Sequence, residues 1–178
     1  FAIDAQAHRD SSLALRLLWR AAQRCWWANV SAAARAGVLA AADELLVPAD
    51  DPRRIGIAAY AGPVPYGDEI YGRIAAHASA AVEDPMAAWV LGNTANVVGA
   101  FDFSLRWLTA ASAVFREQGR LGNLARVLYG RACAQIETGD WTGALQSTEE
   151  SIQFGEETRQ TVWVAASTHP VHEEIIAD

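Results

Sequence analysis

The sequence predicts an all-α protein, a right-handed α-solenoid of about four antiparallel helix pairs, on three observations. Alanine is over-used, in runs such as Ala32-Ala33-Ala34 and Ala40-Ala41-Ala42; it has the highest intrinsic helix propensity and lets helices approach closely. The period-two runs of Val, Ile, Thr and Tyr that mark strands are scarce. Asp51-Pro52 and Asp84-Pro85 each place a capping carboxylate directly before a proline at the first helical position. The two starts they mark lie 33 residues apart, the scale of a helix-turn-helix repeat.

The pairs are read in chain order. The first, about 11–48, has a helix from Leu13 to Trp27, a break near Asn29, and a helix from Ser31 to Leu46. The second, about 50–81, runs from Pro52 to Ala61, breaks at Gly62-Pro63, and resumes from Pro65 to Ala80. The third, about 84–118, runs from Pro85 to Val98, breaks at Gly99, and resumes from Phe101 to about Gln118. The fourth, about 120–157, runs from Leu121 to Glu137 and turns at Thr138-Gly139-Asp140. It resumes at Trp141, with Ala144, Leu145, Thr148 and Ile152 directed to a core. Residues 158–178 begin a further helix or form a cap and tail, so 1–178 is read as a single helical-repeat domain. Gly99 and Gly139, Phe101 and Trp141, and Gly92 and Ala132 are each 40 apart. Small residues at Ala22, Gly56, Gly92 and Ala132 supply the close crossing within each pair, because helices of this length bury their apolar faces only by stacking on neighbours.

A net charge of −7 argues against nucleic acid as a direct partner of this segment, since phosphate contacts need clustered cations and the fourteen here are scattered. All fourteen are arginine, which excludes a P-loop lysine and a Schiff-base lysine within these residues. Cys25 and Cys133 sit far apart in helical, apolar stretches and read as reduced, buried thiols, which suits a cytoplasmic protein. No apolar stretch reaches the roughly 18 residues that span a bilayer. The chain begins at Phe1, without an initiator Met, which points to a segment of a longer protein.

The turn Gly139-Asp140-Trp141 followed by Ala144 resembles a tetratricopeptide repeat, with a small residue in the first helix, a Gly-Asp-aromatic turn, and a small residue early in the second. The layout is similar to the tetratricopeptide-like region of large bacterial LuxR-family regulators of the MalT type. That likeness rests on Leu17 through Trp27, Asp50-Asp51-Pro52-Arg53-Arg54, and Leu124 through Ser151. It implies a region that senses an inducer or protein partner and couples that event to ATPase and DNA-binding domains outside this segment. Arg131 and Gln135 depart from the pattern, standing where a first helix prefers apolar residues. The tail His169-Pro170-Val171-His172-Glu173-Glu174 does not continue it.

In helical-repeat arrays the first helices of successive units line a groove, and side chains exposed there are binding candidates. On that face stand Trp19, Gln23 and Trp26 in the first unit, Trp89, Asn93 and Asn96 in the third, and Arg126 and Tyr129 in the fourth. The asparagines both donate and accept, so a pair at i and i+3 could hold an extended peptide backbone; the alternative is core tryptophans and solvated asparagines. Trp26 and Trp27 cannot share one helix face, so one is expected in the core and one at a surface or contact. The expected partner is a protein or peptide, or a small-molecule inducer, and a homo-oligomer is compatible with this. The rival reading is a scaffold that assembles proteins and senses nothing.

Catalytic, metal and cofactor sites are not expected. Adjacent carboxylates such as Asp68-Glu69 and Glu149-Glu150 point about 100 degrees apart on a helix and make poor acid/base pairs. The string His169-x-x-His172-Glu173 is interrupted by Pro170 and reads as a disordered, solvated tail.

Overall fold

The computed structural model describes residues 11–28, 30–63, 66–78 and 84–175, with side chains through 168. Among them are nine α-helices and no strand: α1 (Ser11–Trp27), α2 (Ala32–Asp43), α3 (Pro52–Ala61), α4 (Gly67–Ala78), α5 (Pro85–Val97), α6 (Phe101–Glu117), α7 (Leu121–Glu137), α8 (Trp141–Glu157) and α9 (Thr161–Ile175). The chain divides into two compact units, residues 1–81 and 82–178. None of these helices is long and apolar enough to cross a membrane.

In the first unit α1 packs on α2 and α3, α2 on α3, and α3 on α4. The buried stripe of α1 is Ala14, Leu15, Leu18, Trp19, Ala22 and Cys25, the spacing of one helix face. α1 packs on α3, whose buried residues include Ile55, Gly56, Ala59 and Tyr60, while Ile70 and Ile74 are the buried residues of α4. The start of α3 follows from its cap: a carboxylate oxygen of Asp51 accepts the backbone N–H of Arg53 at 2.8 Å, and the Arg53 guanidinium returns to the same carboxylate at 2.9 Å. Burial pushes the Asp51 pKa up, but the hydrogen bonds and charge of Arg53 and the N–H of Arg54 outweigh it and hold that carboxyl below its ordinary value. The helix expected to reach Leu46 ends at Asp43, capped at its start by Ser31, and only Ala42 of α2 is buried. The expected start of α4 at Pro65 lies outside the described residues.

In the second unit each helix from α5 to α9 packs on the next, and α7 also packs on both α5 and α9. One turn recurs. Gly99, Gly119 and Gly139 take φ values of 74°, 63° and 78°, and Arg159 takes 56°, at intervals of twenty residues. Each closes the same pair of bonds, for example Ala100 N–H to Ala95 O at 2.9 Å and Gly99 N–H to Asn96 O at 3.2 Å, with Gln160 N–H to Gly155 O at 2.8 Å in the last. This is the Schellman closure, in which a left-handed residue lets two terminal carbonyls of a helix find donors. The burial pattern repeats with it: Ser104, Trp107, Leu108, Ala111 and Phe115 of α6 are buried, and so are Ala144, Ser147, Thr148, Ser151 and Gly155, forty residues on in α8. The 40-residue spacing of the sequence is therefore two steps of twenty.

Close crossings set the register. A Cβ on Gly92 would lie 2.6 Å from Leu108 Cγ, and one on Gly155 would lie 2.9 Å from Val164 Cγ2. Leu145 was expected in the core and is 43% exposed, because the inward stripe of α8 is made of small and hydroxyl residues that let α7 and α9 approach. Ile152 likewise stays half-buried.

Arg131 and Gln135, out of place for a repeat, are explained by a polar seam between α6, α7 and α8. Ser147 Oγ donates to Gln135 Oε1 at 2.6 Å, Gln135 Nε2 to Asp140 Oδ2 at 2.8 Å, and Arg131 Nε to Ser147 Oγ at 3.1 Å. Burial lowers the Arg131 pKa, with Glu150 and Asp140 opposing and Arg116 adding to the shift. A second seam joins Ser151 to Ala125 O at 2.8 Å and to Ser167 at 2.9 Å, tying α8 to α7 and α9.

The expected tail is a helix. Residues 161–175 form α9, running through Pro170, so the twenty-residue pattern continues past the point where the proline suggested a stop. One missing N–H removes a single bond of the helix, and packing of α9 on α8 and α7 offsets it.

Candidate functional site

The sequence-derived candidates fall in two places, one in each unit. In the second unit α5, α7 and α9 meet along one another, and aromatic and cationic side chains lie across their junctions. The Arg126 guanidinium of α7 sits over the Trp89 ring of α5, 4.8 Å from its centroid, and donates to Asn123 one turn back. Tyr129 of α7 lies against Trp163 of α9 with centroids 5.7 Å apart. A guanidinium held on an aromatic face keeps its charge and loses less side-chain freedom when a partner arrives.

The asparagines do not present free amides. Asn93 Nδ2 donates to Trp89 O at 2.8 Å within α5, and Asn96 Nδ2 donates to Gly130 O at 2.8 Å, joining α5 to α7. Asn96 Oδ1 is buried and has no partner among the described residues. The pair expected to hold a peptide backbone instead holds the face together, and a side chain at Gly130 would meet Asn93 Oδ1 at 2.7 Å. Trp89 is 7% exposed, so Arg126, Tyr129 and Trp163 form the accessible part.

In the first unit Trp19 is 6% exposed and packs edge-on against Tyr60 at 5.0 Å, so it belongs to the core. Gln23 is half-buried. Trp26 touches the same tyrosine at 6.0 Å from the outer side. Neither Trp26 nor Trp27 is a core residue: they are 41% and 66% exposed, because the α1 stripe ends at Cys25. Trp26 walls a cleft of about 570 Å³, together with Arg35, Ala36 and Leu39 of α2 and Pro63 and Tyr66 beyond α3. Arg35, Leu39 and Tyr66 escaped the sequence reading. Their one signal was the alanine run of α2, whose small side chains leave the space open.

Cys25 is buried and Cys133 only half-buried, and neither is in a disulfide among the described residues; the expectation of two buried thiols is corrected at Cys133. Among the described residues no group of three or more His, Cys, Asp and Glu could hold a metal ion. The side chains of His169, His172 and Glu173 lie outside them. No protein-family model, curated protein or solved structure matches this chain.

Proposed function

We propose that this chain is a non-catalytic binding module of the helical-repeat type, whose α5–α7–α9 face takes a protein or peptide partner or a small-molecule inducer. One observation carries it: Arg126, braced on Trp89 and by Asn123, stands beside the Tyr129–Trp163 pair across three helices that pack side by side. Tryptophan, tyrosine and arginine are the residue types that dominate interface energetics. The recurring left-handed turn and the recurring buried stripe support a right-handed solenoid of antiparallel pairs for this stretch. The tetratricopeptide likeness supports a cytoplasmic role in a LuxR-family regulator, in which occupancy of the face shifts the population of states read by ATPase and DNA-binding domains elsewhere. A scaffold that assembles proteins without sensing is the alternative.

Panning a displayed peptide library on the purified chain tests the binding face. Selected peptides should lose tenfold or more in affinity to Arg126→Ala and Tyr129→Ala, with circular dichroism showing that the helices of both variants persist. Peptides that bind both variants as tightly as the parent chain place the partner elsewhere. The regulatory role is tested by what the gene encodes on either side: an ATPase before and a helix-turn-helix after support it, and a stand-alone chain supports the scaffold.

A further inference from the structure

The cleft of the first unit is a different kind of site from the α5–α7–α9 face. Its walls are apolar: Trp26 from α1, Ala36 and Leu39 from α2, Pro63 and Tyr66 from the segment after α3. Gly62 shapes the floor, since a Cβ there would lie 2.9 Å from Tyr66 Cδ2 and 3.4 Å from Leu39 Cδ1. With no side chain at 62, the tyrosine ring and the leucine converge beneath the opening. At about 570 Å³ the space is in the range of small-molecule sites.

Among the described residues lining the cleft, Arg35 is the only charged one. It is half-buried, and its guanidinium makes no hydrogen bond or ion pair among the described residues. Elsewhere in this unit Arg53 is paired with Asp51 and Arg54 with Asp43. In a chain of net charge −7, an uncommitted guanidinium at the edge of an apolar cavity selects by charge as well as by shape. A ligand that fills the cavity must be apolar along its length, and one that satisfies Arg35 must end in an anion.

From this geometry we infer that the cleft binds a small amphipathic monocarboxylate, with its aliphatic part between Trp26, Leu39 and Tyr66 and its carboxylate on Arg35. The inference does not depend on the proposed partner face, because every residue it uses lies between 26 and 66. The carboxylate accepts two N–H bonds from the guanidinium, and the chain displaces water from tryptophan and tyrosine rings. Each buried methylene contributes about 0.8 kcal/mol, a factor of about four in affinity.

The experiment is calorimetric titration of the intact chain at pH 7.5 with octanoate, decanoate, decanol and decylammonium, each below its micelle concentration. Decanoate should saturate one site, octanoate should bind about fifteenfold more weakly, and decylammonium should not bind at that site. Arg35→Gln should weaken decanoate at least tenfold and leave decanol unchanged. Ala36→Trp, on an exposed helix position, should fill the cleft and remove both, with circular dichroism showing that the helices persist. Absent saturation by decanoate, equal binding of decylammonium, or indifference to both substitutions overturns the inference. So does a change of oligomeric state in Ala36→Trp without decanoate binding by the parent, which would assign the cleft to a second copy of the chain.

Discussion

Arg159 takes the left-handed backbone conformation that Gly99, Gly119 and Gly139 take in the three preceding turns. A side chain there costs about 1 kcal/mol that glycine avoids. Arg159→Gly should therefore stabilise the chain by about 1 kcal/mol in urea unfolding, whereas Gly139→Ala should destabilise it by a similar amount. Equal and opposite responses at equivalent turns would be hard to produce if the four turns were unrelated. Asp51 is the other residue whose role is specific. Its folded-state pKa lies below the ordinary value, so its contribution is complete above the unfolded pKa of about 3.9 and disappears as pH falls through the lower folded value. Asp51→Ala should cost about 1 kcal/mol at pH 7, and parent and variant should converge in stability as pH falls through the lowered folded-state value; urea midpoints from neutral to acid pH measure it. The asparagines show where residue-level reading stops. Asn93 and Asn96 have the donors and acceptors a peptide would need, yet Trp89 O and Gly130 O take their Nδ2 groups, and nothing in the sequence spacing distinguishes those uses.

The helices show what local chemistry can specify. The Asp-Pro pairs locate α3 and α5 because cap and proline act within one turn, and both caps form, Asp84 accepting from Met86 N–H at 2.9 Å. The twenty-residue recurrence is carried by three glycines, and at the fourth turn by Arg159, where no glycine signals it. The inward face of α8 was misjudged at Leu145 because a stripe of Ala, Ser, Thr and Gly has no strong hydrophobic period; burial there is decided by how closely α7 and α9 approach. At the α5–α6 crossing, a Cβ on Gly92 meets Leu108 Cγ and Cδ2 at 2.6 and 2.7 Å. Gly92→Ala should destabilise by about 1–3 kcal/mol through overpacking. Combining it with Leu108→Ala should cost less than the sum of the single changes, since the truncated leucine removes the clash. Simple additivity in unfolding free energies would show that these helices do not meet there. By contrast α2, with one buried residue, should exchange its amide hydrogens faster than α7, which buries eight. Mass-spectrometric exchange over 32–43 and 121–137 gives the comparison.

At the scale of the whole molecule, the helical class was legible because alanine content, caps and glycine breaks act through the backbone everywhere along the chain. The binding surfaces were less so. The Trp89–Arg126 and Tyr129–Trp163 pairs join residues 37 and 34 apart, a separation that follows only from the packing of alternate helices. The cleft draws on α1, α2 and the segment after α3, and its defining feature is absent side-chain volume, which a sequence does not announce. Trp26 was found because it is large; Arg35 was not, because a lone arginine among alanines looks like solvated surface. Hydroxyl-radical footprinting of the chain with and without a selected peptide reads the proposed partner face in a single measurement. Tyr129 and Trp163 should become protected on binding while Trp141, 49% exposed on α8, keeps its reactivity. Protection of Trp141 with Tyr129 and Trp163 unchanged would put the partner on the other helices and contradict the proposed face.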